Sequence, residues 1–420
     1  MHILDDLKDR GLIYQTTGEE ELYKRLESPI TLYCGFDPTA DSLHIGHLLP
    51  VLMLRRFQLA GHRPIALVGG GTGLIGDPSG KTSERTLNPV EVVQEWAERI
   101  KEQLSPFLDF EGVENSALLV NNYEWLGSLK VIEFLRDIGK HFSLGAMLAK
   151  ESVESRMERG ISFSEFSYQI LQSYDFLKLN ELYNCEMQIG GSDQWGNITA
   201  GSDLIRRMSV GEEKQVHGLT IPLVTKSDGT KFGKTEGGAV WLDPEKTSPY
   251  QFYQFWINTD DRDVIKYLKY FTFLPIEEIN ELAKEVETQP EKRTAQRMLA
   301  KEVTELVHGV EARERAERIT HALFTGGIAT LTGAEIDEGF RDVPSAEIAD
   351  REMTLVDALI EVGAASSRRQ ARESMGSGAI YINGERQTDT ALTISQLDKI
   401  EDKYIVIRRG KRNYYLLRLV

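Results

Sequence analysis

Two histidines set the chemical problem. His44 and His47 stand three residues apart with Gly46 between them, directly after a polar turn holding Asp37, Pro38, Thr39 and Asp41. An apolar, strand-like run at 30–35 precedes that turn, and helical periodicity follows over 48–60. Strand, polar turn and helix start is where an open α/β sheet places a ligand. A helix start offers unpaired N–H groups and the positive end of a dipole, and both suit a phosphate. Two neutral imidazoles add donors without fixed charge. The same spacing also fits a pair of surface histidines. Pro50 belongs in a first helical turn, so the pattern predicts a helix beginning near His47.

Cationic loops could complete a phosphate site. Residues 69–85 form a glycine-rich loop after an apolar strand at 63–69, and it carries Asp77, Lys81 and Arg85. Its Gly71-Thr72-Gly73-Leu74-Ile75-Gly76 fits the dinucleotide pattern G-x-G-x-x-G, but Asp77 and Pro78 stop any helix at once. The acids at the usual distance, Glu95 and Glu98, sit in a helical pattern over 89–103 and not at a strand end. The run 76–82 is one residue short of a P-loop. What remains is a loop whose Lys81 and Arg85 could meet a polyphosphate, or a solvated basic turn. Further on, 226–235 carries Lys226, Lys231 and Lys234 after a strand at 219–224. Read alone, it is an exposed loop.

A second cluster concerns selection. Tyr168, Gln172 and Asp175 are spaced four and three apart, so they share one helix face. Phe166, Ile170, Leu171 and Phe176 make the segment otherwise apolar. A polar face there is costly unless a ligand or an internal network satisfies it. A strand at 187–190 then runs into Gly191-Ser192-Asp193-Gln194-Trp195-Gly196-Asn197, and an Asp after a strand end suits a ribose diol. The run 161–167 is apolar for a loop and offers a partner surface.

The elements that must position these groups fit a multidomain α/β protein. A length of 420 residues predicts two to four domains. Strand-like runs up to 224 lead through polar turns into helical patterns, as in an open α/β sheet. From Ser248-Pro249, a cap and first-turn pair, the chain reads as almost all helical to 324. Residues 352–420 read as two helices and then strands around the turn Asn383-Gly384. No apolar run of about 18 residues predicts a membrane span, and the mixed-charge start predicts no signal peptide. Cys34 and Cys185 lie in no metal or disulfide motif, so a reducing cytoplasm is expected. A net charge of −16 argues against a surface built all round for nucleic acid. Residues 352–420 are the exception, with 11 Lys and Arg against 9 Asp and Glu.

His44-Ile45-Gly46-His47 is the HIGH motif of class I aminoacyl-tRNA synthetases, and Lys231-Phe232-Gly233-Lys234-Thr235 stands where they carry KMSKS. With YCGFDPTADSLHIGH, GLIGDPSGK, GGSDQWGN and the C-terminal unit, nearly the whole chain resembles the bacterial tyrosyl-tRNA synthetases. The resemblance implies a Rossmann-like parallel-sheet catalytic domain over 1–225, with a helical connective insertion at about 82–165. A mobile signature loop and linker (226–247) and an α-helical anticodon-recognition domain (248–330) follow. A linker (331–351) leads to a small α+β S4-like RNA-binding domain (352–420). The implied reaction activates L-tyrosine with ATP to tyrosyl-adenylate, releases pyrophosphate, and passes tyrosine to the 3′ end of tRNA(Tyr). One departure is Gly233, which stands where the KMSKS pattern has its central serine.

The family pattern also implies roles. Thr39 and His44 face the γ-phosphate, while Lys81, Arg85, Lys231 and Lys234 neutralise pyrophosphate. His47, Cys34, Gly191 and Asp193 surround the ribose, with Gly46 in the same ATP site. Tyr33 and Asp175 pair with the phenol hydroxyl. Asp77, Tyr168 and Gln172 surround the ammonium group, and Asp37 and Gln194 border the activated amino acid. Mg²⁺ accompanies ATP, held chiefly by phosphates, with no tightly bound protein metal. Lys150, Trp195, Arg206 and Arg207 are expected at the RNA acceptor end. Arg368, Arg369, Arg372, Arg408, Arg409, Lys411 and Arg412 are expected to bind RNA in the tail. A homodimer joined near Phe163 completes the reading. The competing readings are a tryptophan-activating relative, an RNA-binding protein without activation chemistry and a nicotinamide dehydrogenase.

Overall fold

The computed structural model describes residues 1–79, 86–157, 160–209, 211, 214–235, 238–349, 352–411 and 413–420; Lys81, Arg85 and Arg412 lie outside them. The chain forms two compact units, 1–246 with 259–299, and 247–258 with 300–420.

The first unit is built on strands β1 (Gln15–Thr16), β2 (Thr31–Phe36), β3 (Arg63–Val68), β4 (Leu118–Asn121), β5 (Cys185–Gly191) and β6 (His217–Ile221). They lie in the order β1-β6-β5-β2-β3-β4, parallel from β2 to β6, with β1 antiparallel to β6. Strands β2, β3 and β5 are buried over nearly their whole length, which is why they read as continuous apolar runs and do not alternate. The strand order reverses between β2 and β5. An open α/β sheet has its crevice at that reversal, beyond the strand C-termini. The chain leaving β2 carries Asp37 to His44, and the chain leaving β5 carries Ser192 to Gln194.

Helix Ile45–Leu59 follows β2, and its start corrects the expectation of one near His47. His44 is the N-cap and Pro50 lies inside the helix, where its ring removes a donor to the carbonyl four residues back. The first turn carries two side-chain caps on its own N–H groups. Gly46 N–H donates to Nδ1 of His44 at 3.0 Å, and His44 N–H donates to Nδ1 of His47 at 3.2 Å. Residues 161–167 are likewise not a loop. Ser162 caps helix Phe163–Tyr183, its Oγ accepting from Glu165 N–H, so the apolar run is a first helical turn.

The helices expected as one domain at 248–330 divide between the units, with 259–299 in the first. The physical reason is a pair of arginines. Arg10 donates to the carbonyls of Lys269, Thr272 and Leu274, and Arg56 to those of Tyr270 and Thr272. Both therefore cap the end of helix Asp261–Phe271, where cations are favoured. Burial lowers Arg56 to about 9. The hairpin β7 (Lys234–Thr235) and β8 (Gly238–Ala239) also belongs to this unit.

The second unit carries a five-stranded sheet. Its strands are β9 (Ser345–Ile348), β10 (Ile380–Ile382), β11 (Glu385–Arg386), β12 (Tyr404–Arg409) and β13 (Asn413–Leu419), in the order β11-β10-β12-β13-β9. Asn383 and Gly384, at φ 49° and 96°, form the two-residue turn between β10 and β11. The stretch 331–351 is read from sequence as a linker, yet its residues 331–349 are folded. It holds helix Gly333–Gly339 and β9, which pairs with β13, and it buries Ile336, Phe340 and Ile348. Its acidic composition hid those apolar positions.

Candidate active site

The polar face of helix Phe163–Tyr183 is satisfied by an internal network. Asp175, 2% exposed, accepts from Asn122 Nδ2 at 2.8 Å and from Trp125 Nε1 at 2.7 Å. Asn122 also donates to Thr72 Oγ1, and Thr72 donates to Asp37 Oδ1 at 2.6 Å. Tyr168 donates to the other Asp37 oxygen at 2.6 Å. A second chain runs alongside. Gln194 donates to Asp77 Oδ2 at 2.7 Å and accepts from Gln172, whose Oε1 accepts from Asn197 at 2.9 Å. These hydrogen bonds bring Tyr168, Gln172, Asp175, Asp37, Asp77 and Gln194 together.

Tyr33 behaves differently. It is 1% exposed on β2, and its hydroxyl has no hydrogen-bond partner among the described residues. Burial, and then the nearby Asp175, holds that phenol well above its ordinary value, so it remains a donor. Burial raises Asp175 to about 8, against the pull of Asn122 and Trp125. A buried phenol without an acceptor next to a buried carboxyl is a site for one further hydroxyl group. That hydroxyl would accept from Tyr33 and donate to Asp175.

The other half of the site lies at the helix start. Both histidines accept through Nδ1, so in the neutral rings the proton sits on Nε2 and the outer edge of each ring is a donor. Their centroids lie 4.0 Å apart. Gly46 is required between them, because a Cβ there would come within 2.7 Å of the His44 ring. The lysine loop meets this turn. Gly233 has φ +79°, and a Cβ on it would lie 3.1 Å from Ile45, which explains glycine where the related pattern has serine. Phe232 stacks on Phe271 at 5.5 Å and meets Tyr267 at 5.2 Å. At the loop's base Asp263 holds the N–H and hydroxyl of Ser227. Lys231 and Lys234 are exposed on either side of this anchor.

Thr39 and Asp193 are also exposed, and Gly191 ends β5. Cys34 is buried, and burial raises its thiol to about 12, so it is a weak donor and not a nucleophile. The G-x-G-x-x-G run forms one short turn, Thr72–Leu74, and residues 76–78 directly after it are not helical, so among the described residues no dinucleotide-type helix opens there. Among the described residues no three His, Cys, Asp or Glu side chains gather as a metal site.

Sequence reasoning missed Asn122, Trp125, Thr72 and Asn197. Asn122 stands directly past a strand end, which was the available signal; nothing local marks Trp125. It also missed Gln188, buried opposite Tyr33 in the β2–β5 register with its Oε1 unpartnered among the described residues.

The RNA candidates are more scattered. The Lys150 side chain runs close to Gly196, next to Trp195. Arg206 pairs with Asp203, and Arg207 donates to the carbonyl of His141. In the second unit Arg368 and Arg372 share the exposed face of helix Arg368–Gly376. Arg368 pairs with Asp357, and Arg369 with Glu373. Arg409 donates to the Ala364 carbonyl and Arg408 lies 4.0 Å from the Tyr381 ring centroid, so both help shape the domain itself. Lys411 is exposed.

Comparison with known proteins agrees with this geometry. Residues 24–325 match the family of class I tRNA synthetases (W and Y), and residues 335–417 match the tyrosine–tRNA ligase SYY-like C-terminal domain. The chain is 84% identical over 420 residues to the tyrosine–tRNA ligase of Desulfitobacterium hafniense (strain DSM 10664 / DCB-2), covering all of both chains. It is 63% identical over 418 residues to tyrosine–tRNA ligase 1 of Bacillus subtilis (strain 168), covering 99% of each. The structure of a C-terminally truncated mitochondrial tyrosyl-tRNA synthetase from Aspergillus nidulans superposes with a TM-score of 0.69 at 33% identity, over 77% of this chain and 94% of that one. The chain therefore belongs to the class I tRNA synthetases, within the family of tyrosine–tRNA ligases.

Proposed function

We infer that the crevice between β2 and β5 activates L-tyrosine with ATP and then passes it to the 3′ end of tRNA(Tyr). The carrying observation is the buried Tyr33–Asp175 pair, which lacks one hydroxyl partner and lies in the same crevice as the histidine turn. In the first step a carboxylate oxygen of tyrosine attacks the α-phosphorus of ATP. The bond to the β-phosphate breaks, and pyrophosphate leaves. Tyr168, Asp77 and Gln172 supply acceptors for the ammonium group, and Asp37 and Gln194 tie those acceptors together. The Nε2–H edge of His44 and the cations Lys231 and Lys234 meet charge growing on the phosphates; Thr39, Lys81 and Arg85 join them on the family pattern. His47, Cys34, Gly46, Gly191 and Asp193 border the nucleoside. Catalysis is positioning and charge stabilisation, with no covalent enzyme intermediate. ATP enters as its magnesium complex, the ion carried on the phosphates. Tyrosine-dependent ATP–pyrophosphate exchange tests the reading. Exchange with tryptophan instead would assign the chain to the tryptophan branch, and exchange with neither would refute it.

The second unit is proposed as the tRNA grip, with Lys150, Trp195, Arg206 and Arg207 near the acceptor end. A cluster of cations on an acidic chain binds phosphate locally without holding RNA everywhere. Replacing Arg368, Arg369 and Arg372 together by glutamate is expected to lower tRNA charging about 10- to 100-fold while exchange persists. Equal loss in both assays would remove the tail from RNA binding.

The chain is proposed to act as a cytoplasmic homodimer. Both cysteines are unpaired thiols, and no helix among the described residues is long and apolar enough to cross a membrane. Val131, Ile132, Leu144 and Phe163 are 66–76% exposed, more apolar surface than one segment of a monomer leaves in water. Phe163→Asp is expected to halve the mass seen by sedimentation; an unchanged mass would place the contact elsewhere.

A further inference from the structure

We propose that Trp241, steadied by Lys246 and Asp41, is a positioning residue that holds the His44 ring for adenylate formation. The segment after the lysine hairpin returns to the histidine turn. Ile45 N–H donates to the Val240 carbonyl at 3.0 Å, and Leu242 N–H donates to that of Leu43 at 2.9 Å. This short antiparallel pairing sets Trp241 directly opposite His44. The two rings lie 6.1 Å apart with their planes at 67°, an edge-to-face contact. Trp241 also meets the Lys246 ammonium, 5.0 Å from the ring centroid. Lys246 is in turn paired with Asp41, which lies in the turn just before His44 and which Arg99 also reaches at 3.4 Å. A loop thus closes from Asp41 through Lys246 and Trp241 back to His44.

The division between backbone and side chain gives this arrangement its meaning. The main-chain pairing needs no particular side chain at 241. What the indole adds is a wall for the His44 ring, which also meets His47 at 4.0 Å and takes the Gly46 N–H on its Nδ1. With the ring walled, its Nε2–H keeps one direction. The same segment also ties in the lysine hairpin, because Val240 N–H donates to the Gly233 carbonyl at 3.0 Å. The two phosphate-facing groups, nearly two hundred residues apart in sequence, therefore share one scaffold. Lys246 prevents the indole from swinging into solvent, and Asp41 prevents Lys246 from leaving it.

The inference rests on the reading of His44 as a donor to phosphate, so its test includes His44 itself. Single-turnover adenylate formation would be measured at saturating tyrosine and ATP for Trp241→Ala, Trp241→Phe, His44→Asn and Trp241→Ala with His44→Asn. Trp241→Ala is expected to slow the step about 10- to 30-fold with tyrosine affinity unchanged, a loss typical of a misplaced catalytic group. Trp241→Phe, which keeps an aromatic edge, recovers most of the rate. On the His44→Asn background Trp241→Ala costs less than about 2-fold, because contacting residues that act as one are non-additive. Full multiplication of the two losses, or a loss that falls equally on tyrosine binding, overturns the proposal. A silent His44→Asn removes the reading of His44 and the proposal with it; a severe His44→Asn with independent Trp241→Ala removes the proposal alone. Should Trp241→Ala fail to fold, Lys246→Met carries the same test, with about 3- to 5-fold loss expected and none on the His44→Asn background.

Discussion

Asparagine at position 175 is expected to cut kcat/KM for tyrosine about 10- to 100-fold, the range for losing a hydrogen bond to a charged group. Turnover of phenylalanine should stay where it was, so discrimination falls by the same factor. The phenol of tyrosine accepts from Tyr33, which has no other acceptor among the described residues, and donates to Asp175. Phenylalanine leaves both groups buried and unmatched, and that penalty is the discrimination. The carboxyl of Asp175 sits at about 8 when the site is empty, raised by burial. A phenol that donates to it favours the anion and lowers that value. Tyrosine binding should therefore release protons near neutral pH and progressively fewer as the pH rises past 8, measurable by calorimetry in buffers of different ionisation enthalpy. No release at pH 7 would mean that Asp175 binds as the neutral acid. Folding is a separate matter. Asn122 and Trp125 each donate to one carboxylate oxygen, and an amide offers only one, at a cost of about 1–3 kcal/mol. Adding Trp125→Phe removes the opposed donor, so the double variant should regain stability but not selectivity. Unchanged preference for tyrosine over phenylalanine in either variant would take Asp175 out of the recognition of the phenol.

The same residue shows what the sequence carries and what it withholds. Tyr168, Gln172 and Asp175 were legible because helical spacing puts them on one face, and a polar face in an apolar segment has to be explained. Their partners were not. Asn122, Trp125 and Thr72 come from two other loops, and only the closing of β3 and β4 beside β2 brings them within 3 Å of Asp175 and Asp37. The α/β sheet was legible from strand-like runs that lead through polar turns into helical patterns. The helix start was misplaced because Pro50 outweighed His44, and the reciprocal caps that begin the helix involve imidazoles, which are unusual cap acceptors. The 331–351 segment was misread because its acids dominate a composition in which a few apolar residues do the packing. In each miss a tertiary partner decided the outcome, and local pattern has no access to partners.

Lysine 234 supplies the largest expected effect on rate. Lys234→Ala should lower the rate constant of adenylate formation about 100- to 1000-fold, the range for removing one group aimed at transition-state charge. Tyrosine KM should not move, because the tyrosine pocket uses none of the loop. The loss should fall mainly on kcat, since the cation is needed as charge grows on the leaving phosphates. Lys231→Ala should behave in the same way. The loop's construction explains why two lysines with one anchor suffice. Phe232 stacks on Phe271 and meets Tyr267 edge to face, Gly233 turns with positive φ against Ile45, and the lysines on either side are left exposed. Gly233→Ser tests that construction from the other direction. It restores the hydroxyl of the related KMSKS pattern, yet its Cβ would strain the left-handed backbone and press on Ile45. It should therefore slow activation by about 10-fold, as a small displacement of a positioned group does. Faster activation in Gly233→Ser would show that the missing hydroxyl matters more than the turn. A Lys234→Ala loss shared equally between tyrosine binding and rate would mean that the loop shapes the pocket and does not serve the leaving phosphates.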